Sequence, residues 1–344
     1  MDNKTDRTEI GSLGEFGLID RLTSQHQTIH PNTTKGVGDD AAVIDRGNVV
    51  ELVSTDLLLE GIHFDLMYHP LKHLGYKSVV VNLSDICAMN GVPTHITLSL
   101  GLSNRFSVEA IEEFYAGVYE ACRQYEIDLI GGDTTSSRQG MVISVTAIGH
   151  AKADDVVYRS GAKPGDLICI TGDLGAAYLG LQLLEREKQL YLDNPDIQPD
   201  LEDESYIVGR QLKPEARTDM IETFRQASFK PTAMIDISDG LASEIYHLCK
   251  ASNCGAIIEE GKVPLRDEAQ LLALKFQLDP ITTALNGGED YELLFTASED
   301  DLELLKRMPG IYIIGEMKAA DFGKKLLTTG GHYHDLKAQG WVHF

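Results

Sequence analysis

The chain is predicted to be an α/β protein of two domains, with mixed sheets each covered by helices. Three observations lead there. Its 344 residues exceed one ordinary domain and suit two. Segments of helical period alternate with segments of period two along its length. A turn-rich run, Tyr158-Arg159-Ser160-Gly161-Ala162-Lys163-Pro164-Gly165-Asp166, separates two stretches that each carry this mixture. The expected domains are an N-terminal one at 1–150 and a C-terminal one at 151–344.

Phe16, Ile19 and Leu22 fall at helical intervals and predict a first amphipathic helix over 14–26. Ala41 to Asp45 and Val49 to Thr55 read as two strands joined by the Arg46-Gly47-Asn48 turn, a hairpin signal. A long helix from Lys72 to Met89 follows, closed by Asn90-Gly91 with Pro93 just beyond. Ile96, Leu98, Leu100 and Leu102 alternate strictly, the period of a strand with one buried face. Val108 to Tyr125 returns to helical spacing, and Met141 to Gly149 is an apolar strand. The first half thus reads α-β-β-α-β-α-β, two helices on one mixed sheet. The second half repeats the mixture, with strands at Leu167 to Thr171, Ala233 to Ile237, Tyr291 to Phe295 and Ile311 to Ile314. Its helices start from Ala176 and run over Tyr206 to Gln211, Thr218 to Gln226, Leu241 to Lys250 and Asp300 to Arg307. Leu190 to Glu204 is acidic, contains proline and reads as an exposed connection.

Composition narrows the function. Apolar residues make up 43 % of the chain and charged residues 24 %, the balance of a soluble globular protein. Acidic residues outnumber basic ones 53 to 30, a formal net charge of −23. A field of that sign repels nucleic acid and anionic membrane, and repels phosphorylated substrates too unless bound cations reverse it locally. Five scattered cysteines without a C-x-x-C pair argue against a disulfide framework or a zinc site. No apolar run approaches the ~18 residues of a transmembrane helix, so the expected compartment is the cytoplasm.

The chemistry-bearing pattern is a set of aspartates at element tips, each beside glycine or a hydroxyl. They are Gly38-Asp39-Asp40, Ser54-Thr55-Asp56, Asn82-Leu83-Ser84-Asp85, Gly131-Gly132-Asp133-Thr134-Thr135 and Asp236-Ile237-Ser238-Asp239-Gly240. Taken singly, an aspartate at such a tip is more often a turn former or helix cap than a ligand. Five such sites together exceed what caps require. If they converge, each carboxylate pair about 4 Å apart repels by roughly 4 kcal/mol at an effective dielectric near 20, so a cation is needed. Magnesium, which shares itself between a few carboxylates and substrate phosphates, fits best. Glycine beside the acids lets backbone N–H groups approach phosphate oxygens.

Other phosphate motifs fail. There is no G-x-x-x-x-G-K-[ST] loop. Gly36-Val37-Gly38-Asp39-Asp40-Ala41 fits G-x-G-x-x-A but precedes a strand instead of opening a helix. Asp321-Phe322-Gly323 lacks the partner motifs of a protein kinase. Read alone, His63 is equally a substrate contact or a capping histidine, and Arg159 a phosphate clamp or a surface ion pair. Gly287-Gly288-Glu289-Asp290-Tyr291-Glu292 is a stronger signal, since two glycines before two acids entering a strand are costly for folding alone.

In order, and over nearly the whole chain, these motifs together with Arg159-Ser160-Gly161-Ala162 resemble the thiamine-monophosphate kinase family. The resemblance implies an aminoimidazole-ribonucleotide synthetase-like fold and a homodimer formed through the N-terminal sheet. It also implies ATP as co-substrate, several Mg2+ ions, and direct phosphoryl transfer to thiamine monophosphate without a phosphoenzyme. By position it implies Asp40, Ser54, Thr55, Asp56, Asp85, Asp133, Asp236 and Asp239 as metal ligands. Gly132, Asp133, Arg159, Ser238 and Tyr115 are then expected at ATP, and His63, Glu289 and Trp341 at the second substrate. The alternatives are a related synthetase of the same architecture and a nucleotide-binding regulator without turnover. The polar N-terminal extension and the acidic stretch 190–204 have no counterpart in the family's motifs.

Overall fold

The computed structural model describes residues 10–338 apart from 197 and 200, so Trp341 lies outside the described residues. After α1 (Gly14–Thr23), the strands of the first sheet are β1 (Thr33–Lys35), β2 (Ala42–Asp45), β3 (Val49–Leu59), β4 (Val92–Leu102), β5 (Asp128–Ser136) and β6 (Val142–Lys152). Helices α2 (Leu71–Ala88) and α3 (Val108–Gln124) connect them. The spatial order is β1-β2-β3-β6-β4-β5. β3 pairs antiparallel with β6 along its whole length, from Val49 opposite Lys152 to Leu59 opposite Val142. β5 runs parallel to β4 and makes the sheet mixed, as the sequence predicts.

The second sheet draws on β7 (Leu167–Thr171), β8 (Ala233–Asp236), β9 (Cys254–Glu259), β10 (Leu293–Ala297), β11 (Ile311–Ala319), β12 (Lys324–Leu327) and β13 (Tyr333–Asp335). Its order is β13-β12-β9-β11-β7-β10-β8, antiparallel except where β12 runs parallel to β9. The accompanying helices are α4 (Ala176–Asp193), α5 (Ser205–Leu212), α6 (Thr218–Gln226), α7 (Leu241–Ser252), α8 (Asp267–Lys275), α9 (Pro280–Asn286) and α10 (Leu302–Leu305).

Helix α2 organises the molecule. Leu74, Val79, Val80, Leu83 and Ile86 pack into the core of the first sheet. Cys87 and Ala88 at its end join Phe224, Phe229 and Phe295 of the second half. Apolar on nearly every side, it is buried on nearly every side. It also lies unusually close to α3: a Cβ on Gly75 would come 1.9 Å from the Phe114 carbonyl oxygen, and one on Gly117 1.8 Å from that of Lys72. Two glycines facing each other let the helix backbones touch. That fixes α2, which carries Lys77, Asn82, Ser84 and Asp85, against α3.

Several elements escape the sequence pattern. β5 holds Gly131 and Gly132 and is exposed over most of its length, so no one-sided alternation marks it. The acidic stretch expected as a connection begins as helix, because α4 continues to Asp193. The strand expected from Tyr291 starts at Leu293, since Glu289 and Tyr291 both adopt left-handed backbone (φ 64° and 52°) in a tight loop.

Candidate active site

Strand alternation, a buried helix and a strand end bring the acids together. In β3 the residues Leu52, Ser54 and Asp56 lie on one face and Thr55 on the other. Asp85 comes from α2, Asp236 from the end of β8 and Asp40 from the turn before β2. One oxygen from each of Asp40, Asp85 and Asp236 lies within 4.8 Å of the others. Ser54 Oγ donates a short hydrogen bond to Asp85 Oδ2. Ser84 Oγ donates to Asp236 Oδ2 at 2.6 Å, and Asn82 Oδ1 accepts from the Asp56 N–H at 2.9 Å. The motifs at 82–85 and 236–239 therefore meet through Ser84 and Asp236.

The electrostatics show carboxylates short of positive charge. Burial pushes Asp40 up to about 7, against the pull of Arg159. Burial likewise raises Asp56 to about 6, with Glu15 adding to it. Asp236 also reaches about 6 through burial, despite the Ser84 hydrogen bond and Arg159. Asp85 stands well above the carboxylate range, first through burial and then through Asp56, Asp236 and Asp40. Asp40 Oδ1 accepts from Arg159 Nε at 3.1 Å and Nη2 at 2.6 Å, while its Oδ2 is buried without a hydrogen-bond partner among the described residues. An orphaned buried oxygen beside two further carboxylates and a serine hydroxyl is an all-oxygen donor set suited to a hard divalent cation.

The sign of the pH dependence follows. These carboxyls bind protons on folding, so their contribution is fully present below the ordinary aspartate value of 3.8 and is lost as pH rises through about 6 to 7. Thermal melts in a chelator are expected to show a lower midpoint at about pH 8 than at about pH 5.5, and added Mg2+ is expected to recover more of it at the higher pH. A midpoint that rises with pH in the chelator would contradict the cluster.

The remaining expected residues occupy varied places. The Thr55 hydroxyl donates to the Val145 carbonyl at 3.0 Å, away from the acids. Gly132 is in register with Leu98, which pairs with Val145 and so with Asp56. That is three strand spacings, roughly 14 Å, from the cluster. Asp133 beside it is exposed, its carboxylate accepting from the Thr134 N–H at 2.8 Å. A Cβ on Gly132 would come 1.7 Å from the Leu98 carbonyl oxygen, so no larger residue fits there. The Asp239 N–H donates to Glu244 Oε1 at 3.0 Å, and the Ser238 carbonyl accepts from the Glu289 N–H at 2.7 Å. His63 Nδ1 accepts from the Leu59 N–H at 3.0 Å, which puts the proton of the neutral ring on Nε2. Tyr115 lines a cavity of about 600 Å³ with Phe106, Ile111 and Tyr119.

Of the acids in the 287–292 motif, Glu289 keeps 29 % of its side chain exposed, while Asp290 and Glu292 are buried. Asp290 accepts from the Gly175 and Ala177 N–H groups at the start of α4. Glu292 pairs with Arg210 and Arg217. Sequence reasoning missed Lys77, Gln211, Arg210, Arg217 and Glu244. The available signal was charge inside apolar helical runs, as in Gly75-Tyr76-Lys77-Ser78-Val79.

Residues 38–151 match the N-terminal domain of AIR synthase related proteins and residues 163–324 their C-terminal domain, which defines the class. A thiamine-monophosphate kinase of Bacillus subtilis (strain 168) is 35 % identical, covering 96 % of this chain and 100 % of that protein. One of Escherichia coli (strain K12) is 36 % identical, covering 97 % and 99 %. A solved structure of AaThiL complexed with AMPPCP and TMP superposes with a TM-score of 0.83 at 32 % identity, covering 99 % of this chain and 100 % of that one. The chain belongs to the thiamine-monophosphate kinase family. Hydrogenase maturation protein HypE in complex with ATP, at 20 % identity and a TM-score of 0.68, shares the fold.

Proposed function

We propose that this chain phosphorylates thiamine monophosphate with ATP to give thiamine diphosphate, using Mg2+ and a direct in-line transfer. The observation that carries the reading is the convergence of Asp40, Asp85 and Asp236 within 4.8 Å in a member of this family. Asp40, Ser54, Asp56, Asp85 and Asp236 would hold magnesium, with Thr55, Asp133 and Asp239 assigned by resemblance. Bound there, Mg2+ would neutralise phosphate charge and polarise the transferring group.

The chain's own residues bind and orient. An oxygen of the substrate phosphate forms the new bond to the γ-phosphorus of ATP while the bond to the bridging oxygen breaks, and ADP leaves with that electron pair. The attacking oxygen is already anionic, so no side chain has to act as general base. Arg159, held at Asp40, would meet nucleotide phosphate, and Gly131-Gly132 would present backbone N–H groups to it. Ser238 and Tyr115 are further nucleotide contacts; His63 Nε2–H, Glu289 and Trp341 would meet thiamine phosphate. We place the domain division at 1–150 and 151–344, the dimer contact in the first sheet and the protein in the cytoplasm.

The test is formation of ADP and thiamine diphosphate from ATP and thiamine monophosphate, with and without Mg2+, with free thiamine as control acceptor. Equimolar, Mg2+-dependent products from the monophosphate alone are expected. ATP binding without turnover on this acceptor would move the activity to a related synthetase or a regulator.

A further inference from the structure

We infer that Lys77 is a positioning residue of the reaction: with Gln211 it fixes the carboxylate of Glu289, the residue assigned above to thiamine phosphate. The inference rests on the phosphotransfer reading above and deepens it.

Lys77 is only 2 % exposed, on the most buried helix of the fold. Its Nζ lies 3.0 Å from Glu289 Oε1 and donates to the Gln211 carbonyl at 3.1 Å. Gln211 Nε2 donates to the other oxygen, Glu289 Oε2, at 2.7 Å. Both carboxylate oxygens are thus held, one from α2 and one from α5, while the Glu289 side chain keeps 29 % of its surface open. The backbone is held as well. Glu289 donates its N–H to the Ser238 carbonyl, and a Cβ on Gly288 would come 2.4 Å from that same oxygen. The Glu289 loop is therefore seated directly on the loop that follows Asp236.

Helix geometry ties this to the acidic cluster. Lys77 and Asp85 are eight residues apart, about 80° around α2 and about 12 Å along its axis. One rigid helix sets the distance between a cluster carboxylate and the Glu289 carboxylate. A purely structural ion pair is the competing account, and it explains less. A buried pair is often no more stabilising than apolar residues of the same volume. Gln211 Oε1, moreover, is buried without a hydrogen-bond partner among the described residues. The amide is turned to serve Glu289 at the expense of its own second hydrogen bond.

Steady-state kinetics of Lys77→Met, Glu289→Gln and the double variant test this, with thermal melts as the check on folding. Lys77→Met is expected to raise the KM for thiamine monophosphate about tenfold and leave the KM for ATP within about twofold. The double variant buries no orphaned charge and is expected to match Glu289→Gln alone, because Lys77 acts through Glu289. An unchanged KM for thiamine monophosphate in folded Lys77→Met overturns the inference. So does an equal rise for both substrates, or a double variant worse than Glu289→Gln by a further order of magnitude. A parent chain that makes no thiamine diphosphate overturns the functional reading, and the inference falls with it.

Discussion

Asp85→Asn is expected to fold, to melt higher than the parent in a chelator at about pH 8, and to lose Mg2+-dependent thiamine diphosphate formation by orders of magnitude. The two effects have one cause. Asp85 is held well above the usual carboxylate range by burial and by Asp56, Asp236 and Asp40, so its charged form is a cost to the metal-free fold. An amide of the same shape removes that cost and still accepts the Ser54 hydrogen bond through its oxygen. It also takes one anionic ligand from a cluster whose remaining members are Asp40 and Asp236. Asp56→Ala is expected to lose turnover in the same way. Stability rising as activity falls is the signature of a site whose charge serves binding and not folding. If Asp85→Asn melts lower in the chelator yet retains activity, the carboxylate is structural and the cluster is not the catalytic centre.

The contrast between Asp85 and its neighbours shows which features a single sequence exposes. Tip aspartates beside glycine and hydroxyl residues are a local pattern, so Asp40, Asp56, Asp85 and Asp236 could be singled out before any fold was known. Elements with strong period, such as β4 and α3, were equally legible because one buried face writes itself into the spacing. β5 was not: its two glycines and its exposure on both faces leave no alternation. Nor was the face on which Thr55 points, which follows from the register of β3 with β6. Lys77 and Gln211 are the sharper case, 134 residues apart in sequence and joined only through the tertiary fold. A lone lysine in an apolar helix carries no sign of its partner, so its role could be read only from coordinates.

Glu292→Ala is expected to be the most destabilising substitution of an acidic residue in the second half of the chain. Glu292 is 3 % exposed and accepts from Thr171 Oγ1 at 2.6 Å. Arg217 Nη1 pairs with its Oε2, and Arg210 Nη2 lies 3.2 Å from its Oε1. Removing the carboxylate leaves two partly buried guanidinium groups, 12 % and 15 % exposed, short of a counter-charge. Breaking a buried pair in this one-sided way costs about 3–5 kcal/mol. For a unit of this size that lowers the melting midpoint by on the order of 10 °C. Arg217 retains Asp219, whose side chain is 64 % exposed, and Arg210 retains Asp290 at 3.8 Å; the first is screened by solvent and the second is distant, so neither replaces Glu292. The damage reaches function through α5, because Arg210 also donates to the Asp290 carbonyl at 2.9 Å and its neighbour Gln211 holds Glu289. The KM for thiamine monophosphate is therefore expected to rise along with the loss of stability. Lys306→Ala, which removes the exposed pair with Glu303, serves as the control and is expected to leave the melt unchanged. Equal melts for Glu292→Ala and this control would show that the network carries no stability, and that the arginines find other partners when Glu292 is gone.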